Sequence, residues 1–359
     1  MLLKKLINNH HIKKNIKVKG LAINSKKIKT GFIFFAIKGL KQNGETYIND
    51  AIKRGAIAVI CSKKCKFNHK KISVIKTSNI RNLLSEVSSR FYKLKPKNII
   101  AVTGTNGKTS VADLFYQMLS LSKVPVASIG TLGIKYNNKV IKTELTSPDT
   151  VTLHKELEII KKNKIDNVIV EASSHGLNQK RLEHLNFKAG IFTNFSQDHL
   201  DYHKTMKSYL NAKLIFFKEI LKKKASIISD KEISQFPIIK KIARRRNLKL
   251  LDVNKEYKII KNILPENSSN FKIKNLAMAI EATRLIGLKD KLIYSSIKKI
   301  KDVSGRLELI RKYPNEIKVF IDFAHTPDAL LKTIKELKKF YNQNISLVFG
   351  CGGNRDYKK

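Results

Sequence analysis

The stretch "AVTGTNGKTS", residues 101–110, decides the fold. The apolar run "IIAVTG" leads into it and "VADLFYQMLSLS" follows, so the sequence predicts a buried strand, a glycine loop and a helix in immediate succession. That order places Gly104, Thr105, Asn106, Gly107, Lys108 and Thr109 at a helix amino terminus. Unpaired N–H groups and the helix dipole attract phosphate there, and glycines let the backbone approach closely. Lys108 is suited to neutralise β and γ oxygens, and Thr109 to offer a hydroxyl to Mg²⁺. Val102 stands where the eight-residue phosphate-loop pattern has glycine. A turn that merely needs glycine is the bland alternative, and Gly-Lys-Thr in a strand-to-helix context argues against it.

Working outward, strands and helices alternate through "VTLHKELEIIKKN", "NVIVEAS" and "AGIFTNF". Alternation of buried apolar strands with helices predicts an α/β fold with a doubly wound parallel sheet. Before it, residues 1–95 mix short strands such as "IFFAI" and "AIAVI" with helical stretches and read as a small α/β domain. "KPKN" at 95–98 reads as a linker, because Pro96 biases Lys95 away from helix. The central domain is expected over 98–304. Near Gly305 the pattern restarts with "IKVFIDFAHTPDALLKTIKELKKF" and "NISLVFGCGG", which reads as strand, helix and second strand of a third domain, 305–359, that is cut short.

The formal charge of +44 invites a nucleic-acid reading, but the lysines are scattered from end to end with no stripe or arm. We read them as a solvated surface that attracts anionic ligands in general, without specific nucleic-acid binding. A hydrophobic content of 42% over 359 residues is enough for two or three cores. No apolar run reaches membrane-span length and the amino terminus lacks a secretory pattern, so a cytoplasmic protein is expected. Cys61, Cys65 and Cys351 lack CxxC spacing and read as ordinary thiols.

Three further residues carry potential chemistry. Glu171 closes the strand "NVIV", where α/β folds place metal-holding carboxylates, although a lone Glu there could equally be a solvated edge residue. In "SQDHLDYHKT" two Asp and two His fall within Asp198–His203, at the same sheet edge, which favours a metal or phosphate role for His199. Lys213 in "YLNAKLIFFKEI" shares a helix face with Tyr209, Phe216, Phe217 and Ile220. Either it snorkels to water, or it is desolvated, loses its proton and reacts with carbon dioxide to give a carbamate that can hold Mg²⁺.

Together with "TSPD", "EASSHGLNQKR", "TNFSQDHLDYHKTM", "SGRLE", "DFAHTPDAL" and "VFGCGGNRD", these residues resemble the Mur ligases, the ATP-dependent enzymes that build the peptide of cell-wall precursors, and within them the MurE branch. The resemblance implies a three-domain architecture with a Rossmann-like third domain, ATP and Mg²⁺ as cofactors, and a monomer. Its substrates would be UDP-N-acetylmuramoyl-L-alanyl-D-glutamate and a diamino acid, meso-diaminopimelate or L-lysine, joined through an acyl phosphate. It assigns ATP to the loop, Asn275, Arg306, Asp322 and His325, and metals to Thr109, Glu171, His199 and a carbamylated Lys213. Ser25, Leu40, Lys41 and Gln42 match uridine-side contacts, Thr146, Ser147, Ser173, Gln179 and Arg181 contacts to the muramoyl peptide, and Arg355 the incoming amino acid. Gln197, Lys272 and Leu145 depart from the family pattern without removing a metal or phosphate ligand. The family pattern continues into an Asp-Asn-Pro-Arg type motif beyond residue 359, so weak binding and slow turnover are expected. Other Mur ligases, a folylpolyglutamate synthase-like enzyme, a nucleic-acid-dependent ATPase and a non-catalytic remnant are the alternatives.

Overall fold

The computed structural model describes residues 1–7, 12, 15–39, 42–265, 268–341 and 344–350. They divide into two compact units. The first comprises Met1–Lys95, Pro148–Asn163 and Gln179–Leu185, and the second Pro96–Ser147, Lys164–Asn178 and Asn186–Lys359.

The first unit is built on a parallel sheet of β1 (Gly20–Ala22), β2 (Phe32–Phe35), β3 (Ala56–Ser62) and β4 (Ser73–Thr77), in that order. Alternation within "IFFA" sorts side chains to opposite faces: Ile33 and Phe35 join Leu3, Leu84 and Val87, whereas Phe34 and Ala36 join Ile48, Ala51 and Cys61. The helix Thr150–Lys162 contributes Val151 to the former core. Ser85 and Ser89 donate to the carbonyls of Glu183 and His184 at 2.8 and 3.0 Å, which ties 179–185 to the same unit. Two later segments, 148–163 and 179–185, thus return to pack within the first unit.

The second unit contains β5 (Asn98–Thr103), β6 (Val126–Gly130), β7 (Gly133–Tyr136), β8 (Lys139–Ile141), β9 (Asn167–Glu171), β10 (Phe187–Phe192), β11 (Ser226–Ser229) and β12 (Lys249–Asp252). They form one sheet in the order β12-β11-β10-β5-β9-β6-β7-β8. From β12 to β6 the pairing is parallel, as expected, and the added β6-β7-β8 edge is antiparallel. Helices Lys108–Leu121 and Asn270–Leu285 share one core against the sheet through Phe115, Met118, Leu276 and Ile280. β5 lies between β9 and β10, the strands that lead away to opposite edges, and such a switch point opens a crevice at the strands' carboxyl ends.

Beyond Gly305, β13 (Glu308–Lys312) and β14 (Lys318–Ile321) form an antiparallel ribbon, followed by the helix Pro327–Phe340. Thr326 caps that helix by accepting the Ala329 N–H at 3.2 Å, and Pro327 occupies its first turn. The second strand expected over "NISLVFG" is not formed: residues 344–350 carry no strand. A strand needs a neighbour to take its N–H and C=O groups, and among the described residues none is paired with that segment.

Candidate active site

The glycine loop is shaped by contacts that only glycine permits. Gly104 has φ +143°, and a Cβ on it would stand 1.9 Å from Thr193 Oγ1 and 3.0 Å from the Asn194 carbonyl oxygen. Gly107, at φ +84°, caps the helix Lys108–Leu121. The residues after β10 clasp the turn between them. Thr105 N–H donates to the Asn194 carbonyl at 2.9 Å and Asn106 N–H to Asn194 Oδ1 at 2.9 Å, while Thr193 Oγ1 donates to the Asn106 carbonyl at 2.6 Å. Lys108 folds back so that its amine donates to the carbonyls of Gly104 and Thr105 at 3.0 and 2.7 Å. Surrounding protein holds its pKa below the usual lysine value, against the pull of Glu171 and Asp198.

Glu171 closes β9 and is buried, 1% exposed, which settles the open choice against a solvated edge residue. Its carboxylate accepts Thr131 N–H at 2.8 Å, Thr109 Oγ1 at 3.0 Å and Thr131 Oγ1 at 3.2 Å. Burial pushes its pKa up, and Lys108 with these hydrogen bonds counters that push. Arg306 donates to Thr109 Oγ1 at 3.1 Å, so the hydroxyl joins a buried anion to a cation brought from beyond the central sheet. Burial lowers the Arg306 pKa, and the charges of Glu171 and Asp322 counter that shift.

Lys213 does not snorkel. It is 1% exposed, donates to the Gly104 carbonyl at 2.6 Å and lies 4.3 Å from the centre of the Tyr209 ring. The helix Met206–Ile215 turns this face toward the glycine loop, and Phe216 and Phe217, which follow it, are also buried. Burial drives its pKa well below the ordinary 10.5, and Lys108 adds to the shift. The shift is in the direction of the neutral, nucleophilic form of the amine. Nearby, Asp198 is buried between two imidazoles, with His199 Nε2 and His325 Nε2 each 3.5 Å from Asp198 Oδ2. Burial pushes His199 down to about 3, so it is neutral at physiological pH.

These groups line a cleft of about 980 Å³ in the second unit, together with Asn275, Thr146 and Ser173. Ser147 donates to the Glu171 carbonyl at 2.7 Å and its oxygen lies 3.0 Å from Ser173 Oγ, so it supports the strand end that carries Glu171. The two oxygens of Asp322 accept the N–H groups of Leu307 and Ala324, each at 2.6 Å. Ser25, Gln42, Gln179 and Arg181 belong to the first unit, where Arg181 donates to Gln179 Oε1 at 2.8 Å. Leu40, Lys41, Cys351 and Arg355 lie outside the described residues. Sequence reasoning missed Thr131 and gave Asp198 no role of its own. The signal for Thr131 was its place after Gly130 at a strand's carboxyl end, where a Cβ on Gly130 would stand 2.1 Å from Glu171 Oε1.

Residues 102–289 match the Mur ligase middle domain, 305–359 the Mur ligase glutamate ligase domain and 17–92 the Mur ligase family catalytic domain. The chain belongs to the Mur ligase family. This Mur ligase is 37% identical to the UDP-N-acetylmuramoyl-L-alanyl-D-glutamate--2,6-diaminopimelate ligase of Rickettsia montanensis, across 99% of the present chain and 78% of that one. A solved structure of a ligase of the same name superposes with a TM-score of 0.75 at 26% identity, covering 99% of this chain and 78% of the other. The MurF ligase of Thermotoga maritima, solved in complex with ADP, shares the fold at TM-score 0.61 and 18% identity, over 89% of this Mur ligase and 74% of its own length. Among the described residues of this Mur ligase, no helix is long and apolar enough to cross a membrane, and no three His, Cys, Asp or Glu side chains gather as a ready-made metal cage.

Proposed function

We propose that this Mur ligase forms the amide bond between meso-diaminopimelate and UDP-N-acetylmuramoyl-L-alanyl-D-glutamate in the cytoplasm, as a monomer, with ATP converted to ADP and phosphate. The observation that carries the reading is the constellation at the strand ends: Lys108 and the buried Lys213 both bond to the Gly104 carbonyl of the glycine loop, and Arg306 bonds to the Thr109 hydroxyl that donates to the buried carboxylate of Glu171. Opposing charges held in a poorly solvated cleft suit the approach of two anions, a phosphate and a carboxylate, which repel each other in water.

The donor set fits a magnesium nucleotide. Thr109 and Glu171 offer hard oxygens, Gly104 and Gly107 allow the tight turn of the loop against Thr193 and Asn275, and Mg²⁺ keeps waters and phosphate oxygens as its remaining partners. Thr109 and Glu171 would hold the cation, with a carbamylated Lys213 and His199 beside it. The nucleotide, when bound, supplies the phosphoryl group that activates the glutamyl carboxylate. Lys108 and the N–H groups of Lys108 and Thr109 would orient that phosphate, and Asn275 would meet the base. Ser25, Leu40, Lys41, Gln42, Thr146, Ser147, Ser173, Gln179 and Arg181 would hold the UDP precursor, and Arg355 the amino acid. Asp322 and His325 would act from the third of three domains, 1–95, 98–304 and 305–359.

Phosphate release should require both the precursor and meso-diaminopimelate, and Glu171→Gln should lower kcat by about 100-fold or more. Hydrolysis stimulated by DNA or RNA but indifferent to the precursor would overturn the reading, and acceptance of L-lysine in preference would reassign the amino acid.

A further inference from the structure

Leu307 stands at φ +47°, in the left-handed region that disfavours a side chain, yet it is buried and pinned at both ends of its peptide. Its N–H donates to Asp322 Oδ2 at 2.6 Å, and its carbonyl accepts the ammonium of Lys272 at 3.2 Å. The same ammonium pairs with Asp302 Oδ1 at 2.9 Å. One residue before Leu307, Arg306 stacks its guanidinium 4.4 Å from the centre of the Phe323 ring and donates to Thr109 Oγ1. The segment is fastened a second time by Gln117, which donates to the Lys301 carbonyl at 3.2 Å and accepts its N–H at 2.9 Å. Gln117 belongs to the helix that leaves the phosphate loop, and Lys272 to the helix that carries Asn275. Both walls of the cleft therefore reach across to residues 301–307.

We propose that Lys272 is a positioning residue: by holding Asp302 and the Leu307 carbonyl together it fixes the strained turn that delivers Arg306 to Thr109. The proposal rests on the nucleotide reading above for what Arg306 then does, and on the turn's geometry for the clamp itself. An exposed Lys–Asp pair by itself contributes little, and Asp302 is half exposed. What distinguishes Lys272 is its bond to a main-chain carbonyl of a residue whose backbone no neighbouring preference supports, so the turn depends on outside partners. Lysine suits the task because one ammonium with three donors can serve a carboxylate and a carbonyl together.

The experiment uses the full chain with β,γ-methylene ATP and Mg²⁺ as the probe, and four variants: Lys272→Met, Lys272→Arg, Arg306→Ala and the Lys272→Met/Arg306→Ala double. Lys272→Met should weaken analogue binding about 3- to 10-fold and Arg306→Ala about 10-fold, the loss of one charged hydrogen bond. Because Lys272 acts through Arg306, the double variant should bind no more weakly than Arg306→Ala alone, and Lys272→Arg should restore most of the affinity. Additive losses would overturn the proposal. Amide exchange read on peptides spanning 302–309, without nucleotide, should speed up at least about 5-fold in Lys272→Met and stay near wild type in Lys272→Arg. Unchanged exchange in Lys272→Met would also overturn it. A wild-type chain that fails to bind the analogue strikes the functional reading instead, and the exchange result then decides the clamp.

Discussion

Replacing Gly107 with alanine tests whether the loop's backbone, rather than its side chains alone, makes the phosphate site. The residue sits at φ +84°, and a Cβ there would stand 2.6 Å from Asn275 Oδ1 and 3.3 Å from its Cγ. Alanine in the left-handed region carries about 1–2 kcal/mol of strain. The variant has two ways to relieve the contact. It can keep its dihedral and displace Asn275, which is 8% exposed and has little room. Otherwise it rotates out of the left-handed region and swings the N–H groups of Lys108 and Thr109 away from their common focus. Losing one charged hydrogen bond costs about 1.5–3 kcal/mol, so magnesium–nucleotide affinity should fall about 10- to 100-fold. Gly287→Ala supplies the comparison, since Gly287 has φ +98° with no atom within 4 Å of an added Cβ. It should lose about 1–2 kcal/mol of stability by strain alone and leave affinity untouched. Urea denaturation and titration calorimetry on both variants separate the two effects. Nucleotide affinity within 2-fold of wild type in Gly107→Ala, with a stability loss equal to that of Gly287→Ala, would refute the reasoning.

Two further outcomes are expected. With ¹³C-bicarbonate at pH 7 to 8, the amine of Lys213, whose pKa burial lowers, should yield a carbamate carbon resonance that Lys213→Arg abolishes; a signal that survives the substitution would place the reaction elsewhere. Burial holds His154 and His199 down to about 3 and His203 to about 4, against an ordinary value near 6.5. The unfolded chain then binds more protons between pH 6.5 and about 4, so stability present above pH 6.5 should decline as pH falls, by up to about 1.4 kcal/mol per pH unit for each histidine. Denaturation midpoints across that window should show a shallower decline for His154→Leu, and an identical slope would remove His154 from the account.

The phosphate loop was legible because its chemistry is local: Gly104 to Thr109 are consecutive, and strand, turn and helix follow from apolar runs on either side. The hairpin of β7 and β8 was also written locally, in Asn137 and Asn138, whose φ of +47° and +58° suit the tight turn that Asn favours, although the pattern was passed over. Residues 344–350 show the converse, an apolar run that becomes a strand only if another strand lies beside it. Lys213 marks the limit most clearly. Its spacing from Tyr209 and Phe216 showed a shared helix face, but spacing does not say what lies opposite that face, and its protonation depends on that. Thr131, Asp198, Lys272 and Leu307 gain their roles from partners distant in sequence, 40 residues away for Thr131 with Glu171 and 35 for Lys272 with Leu307. The sequence by itself determined where the glycine loop lies and which helices and strands surround it. Only the tertiary structure decided which charges are deprived of water, because desolvation is a property of the packed surroundings and not of any stretch of chain.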